Sequence, residues 1–137
     1  QALHYCGAHR IGHGTRLKEN HDLLDYVNDH RIPLEICPTS NVQTCAVESL
    51  ASHPLRFYYD YGLRVTINTD NRLISDTTVS QELLVACQTF KFNLNDVRNI
   101  IIHGVKSSFL GYHEKVKLLR QVIREIDEKC GLSSDDF

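Results

Sequence analysis

Three short segments, Arg10-Ile11-Gly12-His13, Pro33-Leu34-Glu35-Ile36-Cys37 and Arg64-Val65-Thr66-Ile67-Asn68, carry strand-like apolar patterns and are separated by stretches of helical periodicity. Strands that alternate with helices over short connections pair in parallel, because each crossover must return the chain to the same end of the sheet. Leu23, Leu24 and Val27 mark one helical stripe between about Glu19 and Asp29. A second helix is predicted from Pro54 to Gly62, with proline at its first turn and glycine at its end. Pro38 to Thr44 reads as a polar loop, and Gln1 to Gly7 as the last turn of a helix closing at Gly7. Beyond the third strand only helices are expected. Thr78 and Gln81 have capping-box spacing ahead of Leu83, Leu84 and Cys87, and Asn93 with Asp96 opens a helix through Val97, Ile100 and Ile101. The last helix, about Tyr112 to Lys129, repeats Val116, Leu119, Ile123 and Ile126 on one face and ends at Gly131. The tail SSDDF is expected to fray. Three parallel strands do not close a barrel. A (β/α) barrel takes about 250 residues, so a chain of 137 residues matches about half of one.

The composition fits a single domain, residues 1–137: 42% of residues are hydrophobic, enough for a real core. A formal net charge of -2 lacks the basic footprint of a nucleic-acid binder. No apolar run approaches the roughly 20 residues of a membrane span, so no membrane partner is expected. Five cysteines without a CxxC pair indicate neither a zinc ribbon nor a disulfide framework, and mostly buried, reduced thiols in a cytoplasmic protein are expected. The sequence contains no methionine and begins with Gln1, so it reads as part of something longer.

Each strand ends in polar chemistry: His13, then Thr39-Ser40-Asn41, then Asp70-Asn71. In parallel α/β architectures the loops at the C-terminal strand ends share one face, where catalytic groups gather. His13 stands between two glycines, which let a ligand or metal approach; a plain turn residue is the equal alternative. Asp70 is a hard ligand for a divalent metal or, alternatively, a turn or N-cap acid. Of the remaining histidines, His21, His30, His53 and His113 are expected to be solvated, and His103 to be a hydrogen-bonded core residue. The pair His9 and His13 would share a face only in a helix, which the glycines oppose.

In order along the chain, RIGHGTRL, PLEICPTSNVQT and VTINTDN resemble the C-terminal half of adenosine deaminase, in the metal-dependent amidohydrolase superfamily. NTDNRLISDTTVSQEL is similar to bacterial members, and HGVKSSFL to the family's late helix. The resemblance implies an α/β fold, the C-terminal half of a (β/α)8 barrel of TIM type. It also implies one zinc ion, and hydrolysis of adenosine or deoxyadenosine to the inosine product and ammonia. By that resemblance Asp70 is a zinc ligand that orients the attacking water, and His13 lies beside that water. Many relatives place a second aspartate against N7 of the purine; here Asn71 occupies the position, and its amide donates to N7 without needing protonation.

The family's remaining zinc ligands, an HxH pair and a histidine in an HAGE motif, do not occur here, nor does the HAGE glutamate that protonates N1. One carboxylate and a neighbouring histidine cannot complete a tetrahedral zinc site. The expected partners are therefore a purine nucleoside and the missing N-terminal half of the barrel. Association of copies through the exposed half-barrel edges is a further expectation. Alone, the chain is expected to be inactive and to bind zinc poorly. Two alternatives stand beside this reading: an adenine-type 6-aminopurine deaminase, and a truncated binding or regulatory module without catalysis. The cysteine-based deaminase signature is excluded, since CPTSNVQTC has the wrong spacing and no HxE occurs.

Overall fold

The computed structural model describes residues 1–131. Strands β1 (Ile11–Gly12), β2 (Leu34–Ile36) and β3 (Val65–Ile67) form one parallel sheet in the order β1-β2-β3. Leu34 pairs with Ile11 on one side and Val65 on the other, so β2 is central and sets the register of both neighbours. The connections run through α1 (His21–Asp29), then through α2 (Pro38–Gln43) and α3 (Leu55–Tyr61). After β3 come α4 (Arg72–Ser75), α5 (Val79–Phe90), α6 (Leu94–Ser107) and α7 (Tyr112–Cys130). The parallel half-barrel expected from the sequence is the observed architecture.

Most local signals act as expected. Asn20 caps α1 by accepting the Leu23 amide at 3.0 Å, and Leu24 and Val27 bury the stripe of that helix. Thr78 with Gln81 and Asn93 with Asp96 form reciprocal capping boxes at α5 and α6. Gly62, at φ 95°, ends α3 in the left-handed conformation that spares glycine a side-chain clash. Residues 1–6 make a turn closed by Tyr5 N–H to Gln1 carbonyl and left-handed Gly7.

Three expectations need correction. Pro38 to Thr44 is not a loop: Pro38–Gln43 is helix α2. Its polar residues masked a helix whose first position suits proline, which lacks the N–H that goes unpaired there. The short α4 was not foreseen; Asn71 creates it by capping the Leu73 and Ile74 amides. The cysteines are not mostly buried, since Cys6, Cys45 and Cys130 are exposed. The stretch SSDDF lies outside the described residues.

The core fills one side of the sheet. Leu34, Ile36, Val65 and Ile67 meet Leu24, Leu55, Tyr58, Ala86, Phe90 and Ile100. Helix α7 forms an outer layer on α6, with Val116, Leu119, Ile123 and Ile126 half-buried. Arg98 clamps that layer through a two-pronged contact with Asp127 at 2.7 and 3.1 Å. Among the described residues, no helix is long and apolar enough to cross a membrane.

Tyr58 ties the core to the segment after β1. Its buried hydroxyl donates towards the Gly14 carbonyl at 2.9 Å and accepts the Lys18 amide at 3.0 Å. Tyr58→Phe keeps the packing but takes the hydroxyl partner from the Lys18 amide, while the Gly14 carbonyl keeps the Leu17 amide at 3.0 Å. It should cost about 1–3 kcal/mol, read as a lower urea midpoint with an unchanged denaturant slope.

Candidate active site

His13, Asn41 and Asp70 converge at the C-terminal end of the sheet, on a cleft of about 590 Å³ also lined by Gly12, Gly14 and Ser40. The convergence follows from backbone bonding to β2. His13 N–H reaches the Glu35 carbonyl at 2.9 Å, and Asn68 N–H reaches the Ile36 carbonyl at 2.8 Å. The outer strands are thereby held to end beside the middle one.

His13 projects from a tight turn. The Gly14 amide bonds the Gly12 carbonyl at 2.8 Å across it, and His13 itself has φ 62°. A three-residue turn of this hand is rare and strained. The two flanking glycines play different parts. A Cβ on Gly14, at φ 67°, would come within 3.1 Å of Leu34 Cδ2, whereas one on Gly12 would meet open space.

Asp70 also adopts a left-handed conformation, at φ 55°. It caps nothing: Asn71 caps α4 and Thr78 caps α5. Ser40 Oγ donates to Asp70 Oδ2 at 2.7 Å, so a buried hydroxyl orients the exposed carboxylate. Asn71 uses its Oδ1 for both capping bonds, each 3.1 Å, which leaves its amide Nδ2 as a donor.

Ligand atoms of His13, Asp70 and Cys37 lie within 4.8 Å of one another. The group is open, with Asp70 exposed and Cys37 buried. Burial first, and then the charges of Asp70 and Glu82, push the Cys37 thiol up to about 11. A carboxylate and an imidazole beside one cleft suit a divalent ion of the zinc type. The carboxylate and the imidazole stand together at one corner of the cleft.

Two residues that sequence reasoning passed over support this corner. His53 is buried, not solvated. Its Nε2 lies 3.1 Å from Asn41 Oδ1, and its Nδ1 accepts the Leu55 amide at 3.0 Å. Glu82, also buried, accepts the Thr39 amide at 3.0 Å and the Thr77 hydroxyl at 2.7 Å, which braces the start of α2. Pro54, directly after His53, marks the helix start nearby, but nothing in the spacing connects either residue to His13. His9 lies elsewhere, beside Arg10 and Arg31. His103 is hydrogen-bonded as expected, 3.2 Å from the Val65 carbonyl, but is half-buried rather than a core residue; partial burial lowers its pKa.

The adenosine deaminase family model matches residues 1–125, and the chain belongs to that family. Among curated relatives, an adenosine deaminase of Mycobacteroides abscessus is 42% identical over an alignment of 135 residues that covers 90% of this chain. The chain spans about 37% of the length of that relative. Among solved structures, an adenine deaminase from Arthrobacter aurescens superposes with a TM-score of 0.87 at 29% identity, over 92% of this chain and 38% of that one. An amidohydrolase from Burkholderia ambifaria, solved with bound zinc, shares the fold with a TM-score of 0.85 at 20% identity. That match covers 95% of this chain and 36% of the other.

Burial, then the charge of Lys18, lowers the His53 pKa from 6.5 to about 4. The unfolded chain thus binds this proton more readily than the folded one, and the corresponding stability is present above pH 6.5. It is lost as pH falls towards 4, to an extent on the order of 3 kcal/mol. Urea midpoints measured at pH 7 and pH 4.5 should diverge in the wild type, and His53→Gln should remove that share of the difference.

Proposed function

We propose that this chain supplies the C-terminal part, residues 1–137, of a single adenosine deaminase barrel. Completed by the N-terminal remainder, that barrel would hydrolyse adenosine or deoxyadenosine to the inosine product and ammonia in the cytoplasm. The observation that carries this reading is the approach of His13 and Asp70, from opposite sides of β2, to within 4.8 Å around one cleft. Asp70, with Oδ2 held by Ser40, is the residue that would hold zinc from this chain, with the remaining ligands contributed by the rest of the barrel. When bound, zinc supplies Lewis-acid activation of water.

The side chains here do the positioning around that chemistry. Water adds to C6 of the purine, the C6–N bond breaks and the amine leaves as ammonia. His13 lies where it can hydrogen-bond to the oxygen on which charge develops, and Asp70 orients the attacking water. Asn71 Nδ2 donates to N7 of the purine while Oδ1 stays on the backbone of α4. An amide donates at any pH, whereas an aspartate there would need its proton. Asn71→Asp should keep the cap but bind purine more tightly as pH falls through its own pKa, against a flat profile for the wild type; parallel wild-type and variant profiles would remove the N7 contact.

The 137 residues alone should show substoichiometric zinc in equilibrium dialysis and no loss of adenosine absorbance. Joined to the rest of the barrel they should regain both. Tight zinc and turnover by the chain alone would overturn the division of the site. The likeness to an adenine deaminase favours a second reading, in which the free base is the substrate. Comparing adenosine, deoxyadenosine and adenine on the complete protein separates the two. If the complete protein turns over none of them, the non-catalytic module becomes the better reading.

A further inference from the structure

Between His13 and the start of α3 runs a chain of hydrogen bonds whose direction is fixed at one end. The Leu55 backbone N–H can only donate, and it meets His53 Nδ1 at 3.0 Å, so Nδ1 carries the lone pair. A neutral His53 then bears its proton on Nε2. The atom of Asn41 facing that nitrogen at 3.1 Å must accept, and is Oδ1. The other end of the same amide, Nδ2, faces His13 Nδ1 at 3.0 Å and must donate. His13 Nδ1 is therefore an acceptor, and the proton of the neutral ring lies on Nε2. Each step excludes its alternative because a wrong tautomer or a flipped amide would set donor against donor or acceptor against acceptor.

We propose that Asn41 and His53 are positioning residues that hold His13 in its Nε2–H tautomer, so that the ring presents a hydrogen-bond donor to the cleft. The role of His13 in deamination rests on the function proposed above; the tautomer does not. Three features favour a built device over incidental packing. Asn41 is 1% exposed and His53 5%, so water cannot substitute for either partner. The His53 ring is wedged edge-on against Phe90, 5.9 Å between centroids, which restricts its rotation. Burial also keeps His53 neutral, with its pKa near 4, so the chain is not reversed by protonation at physiological pH.

Removing the donor at position 53 would free the Asn41 amide to turn over, present Oδ1 to His13 and draw the proton to Nδ1. Asn41→Asp should have the same consequence directly, since a carboxylate only accepts. Both changes would leave His13 in place with its lone pair, not its N–H, facing the cleft. Such an imidazole cannot donate to an oxygen that gains negative charge.

The test is long-range proton–nitrogen correlation on the full-length protein labelled with ¹⁵N-histidine, with and without zinc. His13 and His53 are assigned by single substitution. Both rings should be protonated at Nε2 in the wild type. His13 protonated at Nδ1, or exchanging between the two forms, would overturn the proposal, and this reading needs no variant to fold. Among variants, His53→Gln retains a donor towards Asn41 and should preserve the His13 tautomer, whereas His53→Phe and Asn41→Asp should lose it. Where turnover is present, the latter two should lower kcat by about 10²-fold or more with little change in KM, and His53→Gln should recover most of the loss. Equal rates in all three variants would sink the positioning role. The expected tautomer in a protein without deaminase activity would leave the relay standing and remove the function assigned to His13.

Discussion

Two backbone hydrogen bonds to the end of β2 govern the geometry of this chain. The Glu35 carbonyl takes the amide of His13 and the Ile36 carbonyl takes that of Asn68, so both outer strands finish level with the central one. In a parallel sheet a slip of one residue exchanges the two faces. Such a slip in β3 would turn Val65 and Ile67 out of the helix-covered core, and move Asp70 away from Ser40. The hydrophobic core and the convergence of His13, Ser40 and Asp70 are therefore specified by the same register, and the burial that stabilises the one secures the other.

The fold was legible in the sequence wherever one residue type has one physical use. Alternating apolar runs gave the strands, Gly62 and Gly131 the helix ends, and the two capping boxes the starts of α5 and α6. Polar helices were harder to see. Pro38 to Gln43 has no apolar stripe and no side-chain cap of its own; the start of α2 is braced by Glu82, which lies more than forty residues beyond Thr39. Short-range pattern cannot register a helix stabilised from that distance.

The candidate site was legible in part for the same reason. His13, Asp70 and Asn71 stand at strand ends, where topology alone concentrates chemistry. Asn41 was visible as a polar residue without a task, and His53 looked like an ordinary surface histidine beside a proline. Their connection depends on two side chains twelve positions apart meeting across the start of α3, and on one backbone amide orienting the whole series. A linear sequence carries no direction for a hydrogen bond. The packed structure does, through the fixed donor at Leu55.

Among the described residues, six non-glycine residues have left-handed backbone; Arg31, Cys45, Asp76 and Lys91 lie at turns and helix ends, whereas His13 and Asp70 are the two proposed for the site. A side chain in this conformation costs on the order of 1 kcal/mol that glycine would not incur, although glycine returns part of that gain through a more disordered unfolded chain. Neither position contributes an apolar side chain to the core, so backbone strain alone would favour glycine or asparagine at each, against the loss of the bonds to Asn41 and Ser40. A lineage released from selection on this cleft should drift towards those residues at 13 and 70 while retaining Leu34, Tyr58 and Val65. On the function proposed above, substitutions at these two positions would report on the cleft, and those in the core only on whether the chain still folds.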